Sequence, residues 1–188
     1  MTYSDHLFCH HFEEKYLFGR LTSVFYNELP RDRETVFFCI GADRSSGDCF
    51  GPLTGTLLNQ LRVKNVFGTL EEPVHAVNLT EVYSAVPKDR YVVAIDASLG
   101  GIADLGYIKV KRSPLFPGKA MGKDLPSVGD ISVMLNVNIG GVSNYLLLQS
   151  SSLYMVWKGA NIVARSISTA QYMIKKEHSP LIFNYLKY

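Results

Sequence analysis

With 188 residues, the chain is long enough for one domain with a proper core and too short for two comfortable ones. Hydrophobic residues make up 47% and charged residues 19%, a balance that is typical of globular proteins and excludes a disordered or low-complexity chain. The formal net charge of +2 provides no basic field for phosphate backbones, so nucleic acid is not favoured as a partner.

The first thirty residues carry only a weak helical pattern. Residues 1–19 have no clear period, although their apolar side chains could mark one face of a short helix. Residues 20–29 predict a short helix that Pro30 stops. We therefore expect an N-terminal helical segment, residues 1–30, packed on a single α/β domain that spans residues 1–188.

Apolar runs and segments of helical spacing alternate along the rest of the chain. Residues 35–40 form a continuous apolar run, typical of a strand covered on both faces, and residues 52–61 have the spacing of a helix. Further strands are predicted over residues 67–70, 90–96, 104–112 and 130–139. Further helices are predicted over residues 78–86 and 143–176, the latter in two pieces broken near residues 150–152, with a stripe at 153–167 that faces the core or a partner subunit. Residues 113–130, rich in proline and glycine, predict a long loop of the kind that is usually functional.

This alternation favours an α/β domain built on a mostly parallel sheet with helices on both faces. In such sheets the ligand site lies beyond the carboxyl ends of the strands. The loop that follows strand 35–40 and the loop that follows strand 90–96 both leave from such ends, and each carries an aspartate.

These two aspartates are Asp48, in SSGDCFGP, and Asp96, in VVAIDASLGG. If their strands are neighbours, the carboxylates face one crevice, where one can hold a proton while the other activates water. Two carboxylates also suit a divalent cation, because their oxygens are hard ligands. Alternatively, Asp48 caps the following helix and Asp96 turns the chain after its strand. Spacing alone leaves these alternatives open.

The same loop contains Asp43 and Arg44, which predict a loop-ordering contact, with Arg44 able to orient a substrate carbonyl or carboxylate. Its glycines suggest a phosphate site at a helix start, but the loop lacks the GxGxxG fingerprint and the GK[ST] ending. The run from Gly118 to Lys123 is one residue short of a phosphate-binding loop, and we interpret it as a mobile basic loop over the crevice.

Histidine and cysteine provide little further chemistry. The cluster of His6, His10 and His11 lacks the cysteines or carboxylates of a metal site, so we expect no metal there. The chain has three cysteines with no CxxC spacing, which favours a reducing, cytosolic compartment. The N-terminus lacks the apolar region of a secretory signal, and no window reaches ~18 uninterrupted apolar residues, so we expect no export and no membrane partner.

Four blocks of this sequence, in order, resemble the YyaC family of sporulation proteins from spore-forming bacteria. They are FFCIGADRSSGDCFGPLTG, YVVAIDASLGG, SPLFPGKAMGKDLPSVGDISV and MLNVNIGGVSNY, and the resemblance covers roughly residues 34–175. That family in turn is similar to the spore germination protease, an aspartic-type endopeptidase, and more distantly to hydrogenase maturation endopeptidases. The latter carry a histidine that helps bind nickel, and no histidine occurs between His75 and His178 in this chain.

The resemblance implies a three-layer α/β/α sandwich of the phosphorylase/hydrolase-like type. It also implies that Asp48, followed by Gly51-Pro52, and Asp96, within Ile95-Asp96-Ala97, are the catalytic pair of a peptidase. We predict substrate-binding roles for Asp43, Arg44, Gly47, Gly51, Lys119 and Lys123.

Two functions are consistent with these observations. The first is a spore-associated, aspartic-type peptidase that needs no cofactor and acts on a peptide or a small spore protein in the cytoplasm of the forespore or spore. The second is a non-catalytic sporulation protein that binds a peptide or an anion in the same crevice. A divalent metal at the acid pair and an oligomeric state are left open.

Overall fold

A computed structural model describes residues 6–118, 125–141 and 143–177 of the chain. Within these ranges six strands form one sheet, in the order β1-β5-β6-β4-β2-β3. The strands are β1 (His6–His11), β2 (Thr35–Cys39), β3 (Val66–Phe67), β4 (Tyr91–Gly100), β5 (Tyr107–Lys111) and β6 (Ile131–Ile139). Neighbouring strands from β6 to β3 are parallel, whereas β5 is antiparallel to both β6 and β1. The sheet is therefore mostly parallel, as predicted.

Helices cover both faces of the sheet. They are α1 (Leu17–Glu28), α2 (Phe50–Gln60), α3 (Leu79–Ser84), α4 (Asn144–Gln149) and α5 (Leu153–Glu177). The apolar side chains of α1, α2 and α5 share one core with alternate residues of the strands, such as Phe37, Val93 and Val133. On the opposite face, Leu79 of α3 shares a second core with Phe38 of β2 and with Val92 and Ala94 of β4. This arrangement confirms the α/β/α layering.

Strand β2 shows why the central strands have no alternating pattern. All five of its residues are buried, because helices or loops cover it on both sides. Burying a continuous apolar run in this way is typical of parallel sheets.

Helix α5 buries most of the predicted apolar stripe in the core. Val156, Ala160, Val163 and Ile167 are fully buried, whereas Trp157, also in that stripe, is 54% exposed. The break between α4 and α5 falls at residues 150–152, as predicted from the serine run. None of the helices in the described parts of the chain is long and apolar enough to cross a membrane.

Two predicted elements differ from the structure. The N-terminal segment is only partly helical, because His6–His11 pairs with β5 as an edge strand, and that pairing is made with residues about a hundred positions away. Strand β4 does not end at Asp96 but continues to Gly100, because β6 pairs with it along this whole stretch. Both differences arise from long-range pairing that overrides weak local patterns.

Candidate active site

The loop between β2 and α2 folds back on itself through two close backbone approaches. Gly41 has a φ of 143°, and a Cβ placed on it would lie 1.9 Å from the carbonyl oxygen of Asp48. A Cβ on Gly51 would lie 2.0 Å from the carbonyl oxygen of Ile40. Only glycine allows both contacts, so these positions bring Asp48 to the end of β2.

The junction between α4 and α5 holds the other side of this loop. The Gly47 N–H donates a hydrogen bond to the Leu148 carbonyl at 2.8 Å. The Ser46 hydroxyl lies 2.8 Å from the Gln149 carbonyl oxygen and 2.9 Å from that of Ser151. A Cβ on Gly47 would collide with the Ser151 hydroxyl at 2.6 Å. The loop is therefore held by contacts to a segment about a hundred residues later in the sequence.

Asp48 and Asp96 line the same crevice, which has a volume of about 340 Å³. It lies where β2 ends and β4 continues, at the carboxyl side of the parallel strands, as expected for this class of sheet. Other lining residues are Ile40, Gly41, Ala42, Arg44, Ser45, His75, Ala76, Val77, Pro117, Gly118, Leu125, Tyr145, Leu148 and Gln149. The walls are thus largely apolar around two convergent acids, a composition typical of ligand sites.

The ionisation of Asp96 is perturbed by its surroundings. Burial and the negative charge of Asp48 both raise the pKa of the Asp96 carboxyl well above its ordinary value. The Ala97 N–H donates a hydrogen bond to Asp96 Oδ1 at 2.7 Å, which acts in the opposite direction but does not cancel the rise in pKa. Asp96 therefore keeps its proton at pH values where an exposed aspartate is already ionised.

Asp43 and Arg44 form the contact that their neighbouring positions suggest. Arg44 Nε lies 4.0 Å from Asp43 Oδ1, and the Arg44 side chain is 93% exposed. An ion pair this exposed adds little to stability. Arg44 nevertheless lines the crevice, where its charge is available to a ligand.

The other predicted substrate-binding residues lie in different places. Gly47 and Gly51 are buried against protein and belong to the loop's scaffold rather than to the crevice wall. Lys119 and Lys123 lie outside the described residues. The assignment of these residues to substrate binding stays a prediction.

His75 is a crevice residue that sequence reasoning missed. A parallel bridge between Ile40 and Val74 brings it beside the β2 loop, and the Val77 N–H donates to His75 Nδ1 at 3.4 Å. This hydrogen bond leaves Nε2 as the ring nitrogen available to a ligand. No motif or spacing connects His75 with Asp48, so only the tertiary structure identifies it.

The N-terminal histidines belong to a different part of the molecule, the edge strand β1. His10 Nδ1 lies 2.9 Å from Glu14 Oε2, and its Nε2 lies 2.7 Å from an Arg20 nitrogen. Throughout residues 6–118, 125–141 and 143–177, no three histidine, cysteine or acidic side chains form a group that could hold a metal ion. Any cation in the crevice would have Asp48 and Asp96 as its carboxylate ligands.

The family model described as "Protein of unknown function (DUF1256)" matches residues 9–166. The chain belongs to this family. It is also 41% identical, over 138 residues, to the uncharacterized protein YyaC of Bacillus subtilis, an alignment that covers 71% of this chain and 67% of that protein. The predicted similarity to YyaC is therefore confirmed.

Among solved structures, the chain is similar to the [NiFe] hydrogenase maturation protease HycI from Thermococcus kodakarensis. The TM-score is 0.51 at 17% sequence identity, and the match covers 74% of this chain and 92% of HycI. At this identity the likeness shows a shared fold, and it confirms the distant structural relation to maturation endopeptidases. The relation to the germination protease stays a prediction.

Proposed function

We propose that this protein is a peptidase in which Asp48 and Asp96 hydrolyse peptide bonds by acid and base catalysis. The observation that carries the proposal is the pairing of a proton-retaining Asp96 with Asp48 in one crevice at the carboxyl ends of the central strands. An acid that keeps its proton can donate it during hydrolysis, and a second carboxylate beside it can accept a proton from water. The structural similarity to the maturation protease HycI supports the proposal.

In the first step of this mechanism, Asp48 accepts a proton from water while the water oxygen attacks the carbonyl carbon. Asp96 donates its proton to the carbonyl oxygen, so a neutral tetrahedral diol forms. Asp48 then donates its proton to the amide nitrogen and Asp96 takes back a hydroxyl proton as the C–N bond breaks. The products are a carboxylic acid and an amine, and both aspartates return to their starting states.

The proposed biological setting is sporulation or germination, within the cytoplasm of a forespore or spore. Its support is the motif resemblance to the YyaC family of sporulation proteins and to the germination protease. The proposed substrate is a peptide or a small spore protein bound in extended form. The apolar crevice walls at Val77, Tyr145 and Leu148 suit such a chain.

The test compares the wild-type protein with Asp48→Asn and Asp96→Asn. The substrates are small acid-soluble proteins extracted from spores and a library of fluorescence-quenched peptides. Because general acid–base catalysis contributes about 10²–10⁴-fold, each substitution should lower kcat by that order. Asp89→Asn is the matched control, since the Asp89 side chain is 78% exposed and does not line the crevice.

Undiminished cleavage by both crevice variants would refute the mechanism. Specific binding of peptides without cleavage by the wild-type protein would favour the non-catalytic alternative. Activity that appears only with added Mn²⁺ or Ca²⁺ would instead assign the two acids to metal binding.

A further inference from the structure

A second cavity, of about 390 Å³, adjoins Asp96 on the side of β5 and β6. Its lining comprises Asp96, Ala97, Ser98 and Leu99 of β4, Lys111 of β5, Ser132 and Met134 of β6, and residues 113–116 and 118 of the following loop. Asp96 is thus part of both cavities. A chain bound across Asp96 would place its residues in the first crevice on one side of the scissile bond and in the second cavity on the other.

Lys111 gives the second cavity its chemical character. Within the described ranges, its ammonium forms no hydrogen bond and no ion pair, although the cationic residues next to it do. Lys109 Nζ lies 2.7 Å from Asp104 Oδ1, and Arg112 makes two hydrogen bonds to the carboxylate of Glu28. Lys111 is therefore a half-buried cation that lines the cavity and has no acidic partner among the described residues.

Ser132 completes a polar site beside Lys111. It pairs with Lys111 across the β5–β6 ladder, so both side chains lie on the same face of the sheet. Ser132 is only 1% exposed, yet it lines the cavity, and no hydrogen bond of its hydroxyl is found among the described residues. A hydroxyl that lines a cavity in this way can donate a hydrogen bond to a ligand or to water.

The sheet register sets the distance between this polar site and the catalytic pair. Asp96 is opposite Met134, two residues beyond Ser132, and β6 separates Asp96 from Lys111. With ~4.8 Å between strands and ~3.3 Å per residue, the two backbone positions lie roughly 10 Å apart across the sheet and 7 Å along it. A lysine side chain spans about half of that separation. A group bound by Lys111 would therefore lie within about three residues of a peptide bond held at Asp96.

From these observations we propose that the second cavity is a specificity subsite that binds a carboxylate of the peptide substrate through Lys111 and Ser132. The substrate is then a peptide with an acidic residue on one side of the scissile bond, within three positions of it. The remaining walls, formed by Pro114, Phe116 and Met134, contact the aliphatic part of that side chain. This inference rests on the proposed peptidase function for its account of the bound ligand.

The experiment uses quenched decapeptide libraries that differ only by glutamate or glutamine at one fixed position, scanned along both sides of the cleavage site. For the wild-type protein, glutamate at one position within three residues of the cleaved bond should raise kcat/KM about tenfold over glutamine. In Lys111→Gln this preference should fall below about twofold. Lys111→Arg should keep part of the preference.

Lys109→Gln is the matched control, because it removes the same charge from the same strand and sheet face but from a lysine that Asp104 already pairs. It should retain the wild-type preference. Each library is also prepared with free and amidated C-termini, which distinguishes a side-chain carboxylate from a terminal one. A preference confined to peptides with free C-termini would show that the subsite binds the terminal carboxylate. This result would overturn the proposal that it binds an acidic side chain.

A binding measurement separates failure of the subsite from failure of the peptidase. Fluorescence anisotropy measures the binding of labelled glutamate and glutamine peptides to Asp96→Asn protein, so the selectivity of the subsite is observed without cleavage. Glutamate-selective binding that Lys111→Gln abolishes would support the subsite even if the wild-type protein cleaved nothing. Cleavage with equal rates for glutamate and glutamine, or an equal loss of preference in Lys109→Gln, would overturn the subsite and leave the peptidase intact.

Discussion

Replacing Asp96 by asparagine tests the electrostatics of the crevice without any substrate. The amide has nearly the shape of the protonated carboxyl but does not titrate. In the folded protein, burial and the charge of Asp48 raise the pKa of Asp96 above its value of about 3.9 in an unfolded chain. Between these two pKa values the folded state binds a proton that the unfolded state has lost.

The sign and size of the effect follow from this proton difference. The stabilising contribution of the Asp96 proton is complete below the unfolded pKa, and it is lost as the pH rises through the folded pKa. Over that window the free energy of unfolding of the wild-type protein should fall relative to Asp96→Asn. The limiting slope is about 1.4 kcal/mol per pH unit, a tenfold change in the unfolding constant. Asp96→Asn should therefore become the more stable protein as the pH rises above about 4.

Urea denaturation followed by circular dichroism, at half-unit steps from pH 4 to pH 8, measures this difference. In Asp48→Asn, the pH range over which the free energy of unfolding falls should be narrower. The reason is that removing the neighbouring negative charge lowers the pKa of Asp96 in the folded protein. Asp89→Asn, on an exposed side chain, should give a nearly constant difference from wild type. A difference between wild type and Asp96→Asn that does not change with pH would refute the reasoning.

Two further predictions concern the scaffold around the site. Gly51→Ala should cost about 3 kcal/mol in urea denaturation, because its Cβ would meet the Ile40 carbonyl oxygen at 2.0 Å, whereas Gly19→Ala, with open space around it, should add about 0.5–1 kcal/mol. Changes of the same sign in both variants would contradict this account. At pH 8 a disulfide reagent should modify the exposed Cys9 quickly and the buried Cys39 and Cys49 only after unfolding, because burial raises the pKa of both buried thiols. A second fast-reacting thiol in the native protein would show that the β2 loop opens.

Local sequence was sufficient to predict those elements whose composition is compatible with only one kind of secondary structure. The apolar run at β2 predicted a strand buried on both faces, and the serine run near residue 151 marked the break between α4 and α5. The sequence also placed Asp48 and Asp96 just past two predicted strands, without showing that these strands are neighbours. The structure adds that β2 and β4 do pair, which brings both acids to one crevice.

Long-range pairing was beyond such reasoning. Strand β1 has no strong hydrophobic pattern of its own, and it forms because it pairs with β5 at the edge of the sheet. The extension of β4 past Asp96 depends on β6, and His75 reaches the crevice only through the bridge from Val74 to Ile40. The lack of an acidic partner for Lys111 among the described residues is equally a matter of tertiary structure, since the sequence alone does not show which of Lys109, Lys111 and Arg112 pairs with an acid.

The amino-acid sequence by itself therefore determined the fold class and the central strands, because apolar runs and helical spacing indicate which residues are buried. Only the tertiary structure decided that the pKa of Asp96 is raised, because that depends on the burial of Asp96 and on the neighbouring charge of Asp48. It also decided that Asp96 lies between two cavities, because loops distant in sequence build their walls.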